Sequence, residues 1–165
     1  MARAALDELK LEKILFMPTG PTRYRTPAAA SGEQRVAMLR LALADDDSYE
    51  IDPRELGPGA TGYTADTLKE LRLEYGADTE LWMLMGADQF SKLDSWHRPH
   101  DVRRLARIAV FARPGWKADA ERMIPFEPMN ISASDIRARV ARGEDISALV
   151  PEAVANYIAR ERLYR

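Results

Sequence analysis

Two serines, an aspartate and an arginine stand together in "ISASDIRARV", residues 131–140. Ser132, three residues ahead of Asp135, resembles a capping box, and Ile136 and Val140 supply an apolar face behind it, so a helix starts here. Arg137 adds something that capping does not explain. A cation in the first turn opposes the helix macrodipole unless an anion shares the site. Free backbone N–H groups, the hydroxyls of Ser132 and Ser134 and the guanidinium fork of Arg137 together suit a phosphate.

Three further stretches carry groups of the same usefulness. In "MGADQF", 85–90, Gly86 permits close backbone approach, and Asp88 at a strand-to-helix turn either accepts hydrogen bonds from a ribose hydroxyl pair or caps the next helix. "GYTADTL" and "DSWHRPHD" place Thr64 at a helix start and Trp96 in an aromatic stretch; ordinary helix-terminal and core roles compete with ligand contact at both. In "FARPG", 111–115, Arg113 lies just past a strand end, where sheets of this kind present side chains to ligand, or else on a plain surface turn. His97 and His100 lack the carboxylate or cysteine company of a metal site, and no metal ligand is assigned. There is no P-loop, no G-x-G-x-x-G and no Ser-His-Asp order, which removes the Walker-type, dehydrogenase and common hydrolase readings.

The elements that must position these groups alternate. A helical pattern over the first residues precedes a short strand near 13–17. A long loop follows at 18–32, "PTGPTRYRTPAAASG", rich in Pro, Gly and Thr. Val36, Leu39 and Leu43 set one helix face, 49–52 a short strand, and "TADTLKELRLEYG" a helix from Thr64 that stops at Gly76. The almost continuous apolar run 80–86 predicts a strand buried on both faces of a parallel sheet. A helix over 87–93, another from about 99 and a strand over 107–112 continue the series, with 123–127 a candidate last strand. The tail holds two helices, the second with Pro151 at its first position. The pattern predicts an α/β fold with a doubly wound, mainly parallel sheet and ligands outside the carboxyl ends of its strands. One domain over 1–165 is expected, with an α/β core over 1–128 and C-terminal helices over 129–165.

With 24 basic and 26 acidic residues the net charge is −2, so no global field recruits nucleic acid or anionic membrane, and neither is expected as a partner. The chain has no cysteine, which excludes disulfides, thiolate metal sites and a cysteine nucleophile. No apolar run approaches a membrane span or a signal peptide, and a cytoplasmic location is expected.

Taken in order, "FMPTG", "EQRVAML", "GYTADTL", "LMGADQFSKLDSW", "VFARPG", "ISASDIR" and "LVPEAVANYI" resemble one family, the bacterial nicotinate-nucleotide adenylyltransferases of the nucleotidylyltransferase superfamily. The resemblance implies a Rossmann-like fold and transfer of AMP from ATP to nicotinate mononucleotide. The products would be nicotinate adenine dinucleotide and pyrophosphate, with Mg²⁺ as cofactor, in NAD biosynthesis. It implies that Gly86 and Asp88 line the adenosine ribose and that Ser132, Ser134 and Arg137 meet ATP. Thr64 and Trp96 would contact the nicotinate side, Trp96 by stacking, with Arg113 near the mononucleotide. The family's basic residue in the loop after its second strand is matched by either Arg23 or Arg25.

Ala133 and Ser134 stand in the second and third polar places of the family's I-S-S-T-x-I-R. The superfamily signature G-G-T-F-D-P-x-H-x-G-H, with its strand near the middle of the sheet, is not found among these residues, and no catalytic residue is assigned. The chain as given is accordingly expected to be poorly stable and nearly inactive, and a version extended upstream through the signature to form the dinucleotide. Two other readings remain open: a non-catalytic nucleotide-binding module, and an adenylyltransferase for another acceptor such as nicotinamide mononucleotide or phosphopantetheine. Whether the chain forms a homo-oligomer is left open by the sequence.

Overall fold

The protein is described by a computed structural model covering residues 1–20, 28–44, 46–111, 122–126 and 131–165. It forms two compact units: residues 1–14 with 61–128, and residues 15–60 with 129–165. The C-terminal helices thus share a unit with an early part of the chain.

In the first unit, helix α1 (Ala2–Leu9) buries Ala5 and Leu6 and ends at Lys10 in the left-handed region, whose N–H donates to the Leu6 carbonyl. Helix α3 (Thr64–Tyr75) buries Ala65, Leu68 and Leu71 along one face, the spacing expected of an amphipathic helix. It stops at Gly76, whose φ of 85° suits a residue without Cβ. Strands β3 (Trp82–Gly86), β4 (Arg107–Phe111) and β5 (Arg122–Ile124) pair in that order, both ladders parallel. Between β3 and β4 the chain crosses over through the short helix α4 (Ala87–Phe90), a 3₁₀ turn (Leu93–Ser95) and helix α5 (Pro99–Leu105), with Pro99 at the start of α5. α5 packs on α3, and α1 on β5.

The sheet corrects one expectation. The run 80–86 is not the doubly covered strand: of β3 only Met85 is buried, whereas Ile108, Ala109, Val110 and Phe111 of β4 are all buried. β4 holds the middle place and has a strand on each side, which hydropathy alone does not reveal. The single helix expected over 87–93 is likewise two short pieces. Ser91 Oγ donates to the Asp88 carbonyl and the Lys92 N–H to Gln89, which tightens the turn and ends α4.

In the second unit, helix α2 (Gly32–Leu43) starts at a full capping box. The Gln34 N–H donates to Ser31 Oγ (3.1 Å) and the Ser31 N–H to Gln34 Oε1 (2.8 Å). Strand β1 (Ile14–Phe16) pairs with β2 (Tyr49–Ile51). Helices α6 (Ala133–Ala141) and α7 (Glu152–Arg160) complete the unit. Ala30, Ile146, Val154, Ile158 and Leu163 form its core, with Met38 of α2, Ile136 and Val140 of α6, and Tyr164 packed against it. Pro151 is the N-cap of α7 and not its first helical residue, with ψ at 143° and its carbonyl accepting from Val154. This is an α/β fold of flanking helices on parallel strands.

Candidate active site

The carboxyl end of β3 runs straight into α4. Gly86 is the N-cap of that helix, extended at φ −81° and ψ 158°, and no side chain caps it. Asp88 therefore is not the cap of α4. It sits in the first turn, where a carboxylate is favoured by the macrodipole, and its Oδ2 accepts from Gln89 Nε2 at 3.2 Å. The residue is half-buried at the end of a parallel strand, the region in which open α/β sheets receive ligands.

The other expected contacts of this unit lie at the start of α3 and after the 3₁₀ turn. Tyr63 is the N-cap of α3 and Thr64 its first residue; neither side chain caps the helix. Trp96 ends the 3₁₀ turn and is half-buried. Two contacts join these segments. The Tyr63 and His97 rings stack with centroids 4.1 Å apart and planes at 30°, and Arg98 Nη2 donates to Asp66 Oδ1 at 2.9 Å. Asp66 also accepts from Thr61 Oγ1 at 2.8 Å through its second oxygen. Asp101 receives Arg104 and Arg98 at 2.9 and 3.2 Å. The Arg104 hydrogen bond is the chief reason that its carboxyl is held below the usual carboxylate range. The structure thus brings the Thr64 and Trp96 segments together.

In the second unit the N-terminus of α6 is built as the spacing predicts. Ser132 is the N-cap, its Oγ accepts from the Asp135 N–H at 3.1 Å, and Ser134 Oγ lies 3.0 Å from Ser132 Oγ. Only half of the capping box forms, because the Asp135 carboxylate turns along the helix to Arg139 Nε at 2.9 Å. Arg137 is exposed and has no carboxylate partner among the described residues. A hydroxyl pair and an unneutralised guanidinium at one helix start can together take an anion.

Arg35 was not foreseen. Its Nη2 donates to the Thr19 carbonyl at 2.7 Å, fixing the chain just beyond β1, and its Nε is buried without a partner among the described residues. The carbonyl of Glu55 closes on the same loop: a Cβ on Gly20 would lie 2.1 Å from that oxygen. Arg35 and Arg137 both act on the phenol of Tyr164; burial pushes its pKa up, and the two cations partly offset the rise. The sequence signal was present, since Arg35 is the fourth residue of α2, close to its N-terminus; Arg137, expected in the first turn of α6, is instead its fifth residue, just past that turn, so the macrodipole argument applies more to Arg35 than to Arg137. Arg23, Arg25 and Arg113 lie outside the described residues.

The chain matches the cytidylyltransferase-like family model over residues 1–139. A relative from Laribacter hongkongensis, named as a probable nicotinate-nucleotide adenylyltransferase, is 40% identical over 190 aligned residues, covering 100% of this chain and 86% of the relative. The chain belongs to the cytidylyltransferase-like family, among the nicotinate-nucleotide adenylyltransferases. A relative of the same name from Salinispora arenicola is 35% identical and covered over 92% of its length. In fold, the chain matches the nicotinic acid mononucleotide adenylyltransferase of Plasmodium falciparum, solved in complex with NaAD, with a TM-score of 0.74 over 98% of this chain and 89% of that one, at 16% identity. Members of this family are nucleotidyltransferases that use ATP, and no helix among the described residues is long and apolar enough to cross a membrane.

Proposed function

We propose that this enzyme transfers the adenylyl group of ATP to the 5′-phosphate of nicotinate mononucleotide, forming nicotinate adenine dinucleotide and releasing pyrophosphate. The observation that carries the reading is identity of 35–40% to nicotinate-nucleotide adenylyltransferases along the whole chain. In this reading Gly86 and Asp88 serve the adenosine ribose, and Ser132, Ser134 and Arg137 bind the phosphates. Thr64 and Trp96 hold the pyridine ring. Arg113 lies near the mononucleotide, and one of Arg23 and Arg25 meets the phosphates.

The substrate phosphate attacks the α-phosphorus in line, with no covalent enzyme intermediate. The protein's share of catalysis is orientation and stabilisation of charge on the transferred group and on the leaving pyrophosphate. Among the described residues no group of three or more His, Asp or Glu is gathered to hold a metal. In this reading Mg²⁺ enters with ATP, bound chiefly by its phosphate oxygens. The reading sets the enzyme in the cytoplasm.

The test is direct: the purified chain as given and a version extended upstream through G-G-T-F-D-P-x-H-x-G-H are each incubated with Mg·ATP and nicotinate mononucleotide, and dinucleotide and pyrophosphate are measured together. Parallel reactions with nicotinamide mononucleotide and phosphopantetheine decide the acceptor. Equimolar dinucleotide and pyrophosphate from the extended version, with a clear preference for the nicotinate substrate, is the expected result. A preference for the amide defeats the acceptor assignment, and ATP binding without either product defeats the catalytic one.

A further inference from the structure

Thr64 and Trp96 sit on separate elements, yet each is flanked by residues that reach across to the other element. Tyr63, just before Thr64, stacks on His97, just after Trp96, and Asp66 pairs with Arg98, so two unlike contacts tie one short segment to the start of α3. Arg98 adopts φ 53° and ψ 57°, a left-handed conformation that a side chain with Cβ disfavours, and it does so immediately before Pro99. Its guanidinium holds both Asp66 (2.9 Å) and Asp101 (3.2 Å), and its carbonyl accepts from the Asp101 and Val102 N–H groups at the start of α5. Strain of this kind persists where the surroundings over-determine it.

The core has little use for this clasp. Leu93 and Val102, both with 0% exposure, anchor the segment on either side. The ion pair between Arg98 and Asp66 is partly open to water, at 41% and 30% side-chain exposure, so it adds little to global stability. What it restrains is the stretch between the two anchors, which carries Trp96.

We infer that His97 and Arg98 are positioning residues that fix Trp96 against the N-terminus of α3 and thereby set how tightly the enzyme holds the pyridine ring of its acceptor. The inference rests on the proposed assignment of nicotinate mononucleotide as acceptor. The stack sets the lateral place of the segment, and the ion pair, held by a strained residue, sets its rotation.

The experiment compares His97→Ala, His97→Phe, Arg98→Ala and Arg98→Lys with the parent protein. The first measurement needs no ligand: the indole N–H resonance of Trp96 in ¹⁵N-labelled protein, assigned with Trp96→Phe. The second is KM for each substrate and kcat. Both alanine variants are expected to shift the Trp96 indole and to raise KM for nicotinate mononucleotide roughly three- to tenfold, with KM for ATP within about twofold of the parent. His97→Phe, which keeps a ring, and Arg98→Lys, which keeps a cation, should return both readouts towards the parent. An unmoved indole in the alanine variants overturns the inference whether or not the protein turns over. A shifted indole with equal changes in both KM values also overturns it, leaving the clasp a purely structural contact. A parent protein that prefers nicotinamide mononucleotide refutes the acceptor assignment instead, and the ligand-free indole still decides whether His97 and Arg98 hold Trp96.

Discussion

Replacing Arg72 by methionine tests the largest single polar junction in the described part of the first unit. Arg72 lies in the last turn of α3, and its Nη1 donates to the carbonyls of Gly76 (3.2 Å), Ala77 (3.2 Å) and Thr79 (2.5 Å). Its Nη2 donates to the Leu105 carbonyl at 2.7 Å, at the end of α5 and 33 residues away. One guanidinium therefore answers the Gly76 carbonyl at the end of α3, two carbonyls of the turn that follows it, and the last carbonyl of α5, the helix that packs on α3. A hydrogen bond from a charged donor contributes about 1.5–3 kcal/mol. The three contacts of Nη1 are exposed and compete for two hydrogens, so they count as roughly one bond at the lower limit; the partly buried Leu105 bond counts nearer the middle. The sum is about 4 kcal/mol, which for a chain of this length lowers Tm by roughly 8–16 °C. Methionine keeps much of the apolar stem, so the loss reports the guanidinium. Arg72→Lys reaches one cluster of carbonyls but not both, and is expected to recover about half. Urea unfolding followed by circular dichroism reads the difference as a shift in midpoint at constant slope. A cost below about 1 kcal/mol for Arg72→Met, or full recovery by lysine, would refute the two-helix account.

Three other outcomes are expected. Gly20→Ala puts a methyl group 2.1 Å from the Glu55 carbonyl oxygen, which must move with its backbone; a loss of about 1–3 kcal/mol in thermal or urea unfolding is expected, with kcat lowered by displacement of the segment beyond β1. Ser132→Ala removes the acceptor of the Asp135 N–H and should cost about 1 kcal/mol; if Ser132 also meets ATP, the calorimetric affinity for Mg·ATP falls further than the unfolding data predict, and an unchanged affinity removes it from the site. Tyr164 has its pKa raised by burial, so its contribution to stability is complete below the unfolded value near 10 and is lost as pH rises through the higher folded value; Tyr164→Phe should flatten the alkaline limb of a Tm-against-pH curve above about pH 10, and a limb of unchanged slope would exclude it.

The helix starts were legible because their determinants are local. Ser132 and Asp135 are three residues apart, and the bond between them follows from that spacing. The stop of α3 at Gly76 is equally local, a residue without Cβ where φ turns positive. What the sequence could not order was the sheet. β3 and β4 are both apolar, and only their lateral sequence in space decides which has neighbours on each side. The clasp of Tyr63 with His97 and Asp66 with Arg98 was hidden for the same reason, since its partners are more than 30 residues apart and each half alone looks like an ordinary surface group. The left-handed conformation of Arg98 has no signal in an arginine followed by proline. Arg35 could have been found by applying to α2 the macrodipole argument that singled out Arg137.

Each unit is closed by pieces of chain that leave the ribosome far apart in time. α1 is made long before β5, yet it packs on it, and Arg122 Nη2 meets Glu8 Oε1 at 2.6 Å across 114 residues. The core of the second unit similarly joins Ala30 to Ile146 and the residues beyond it. During synthesis α1 and α2 therefore emerge with apolar faces whose partners do not yet exist, and neither core can be completed until those later segments have been translated. Folding of this protein is expected to be paced by long-range closure, with its early helices exposed to chaperones until the segments that cover them are made.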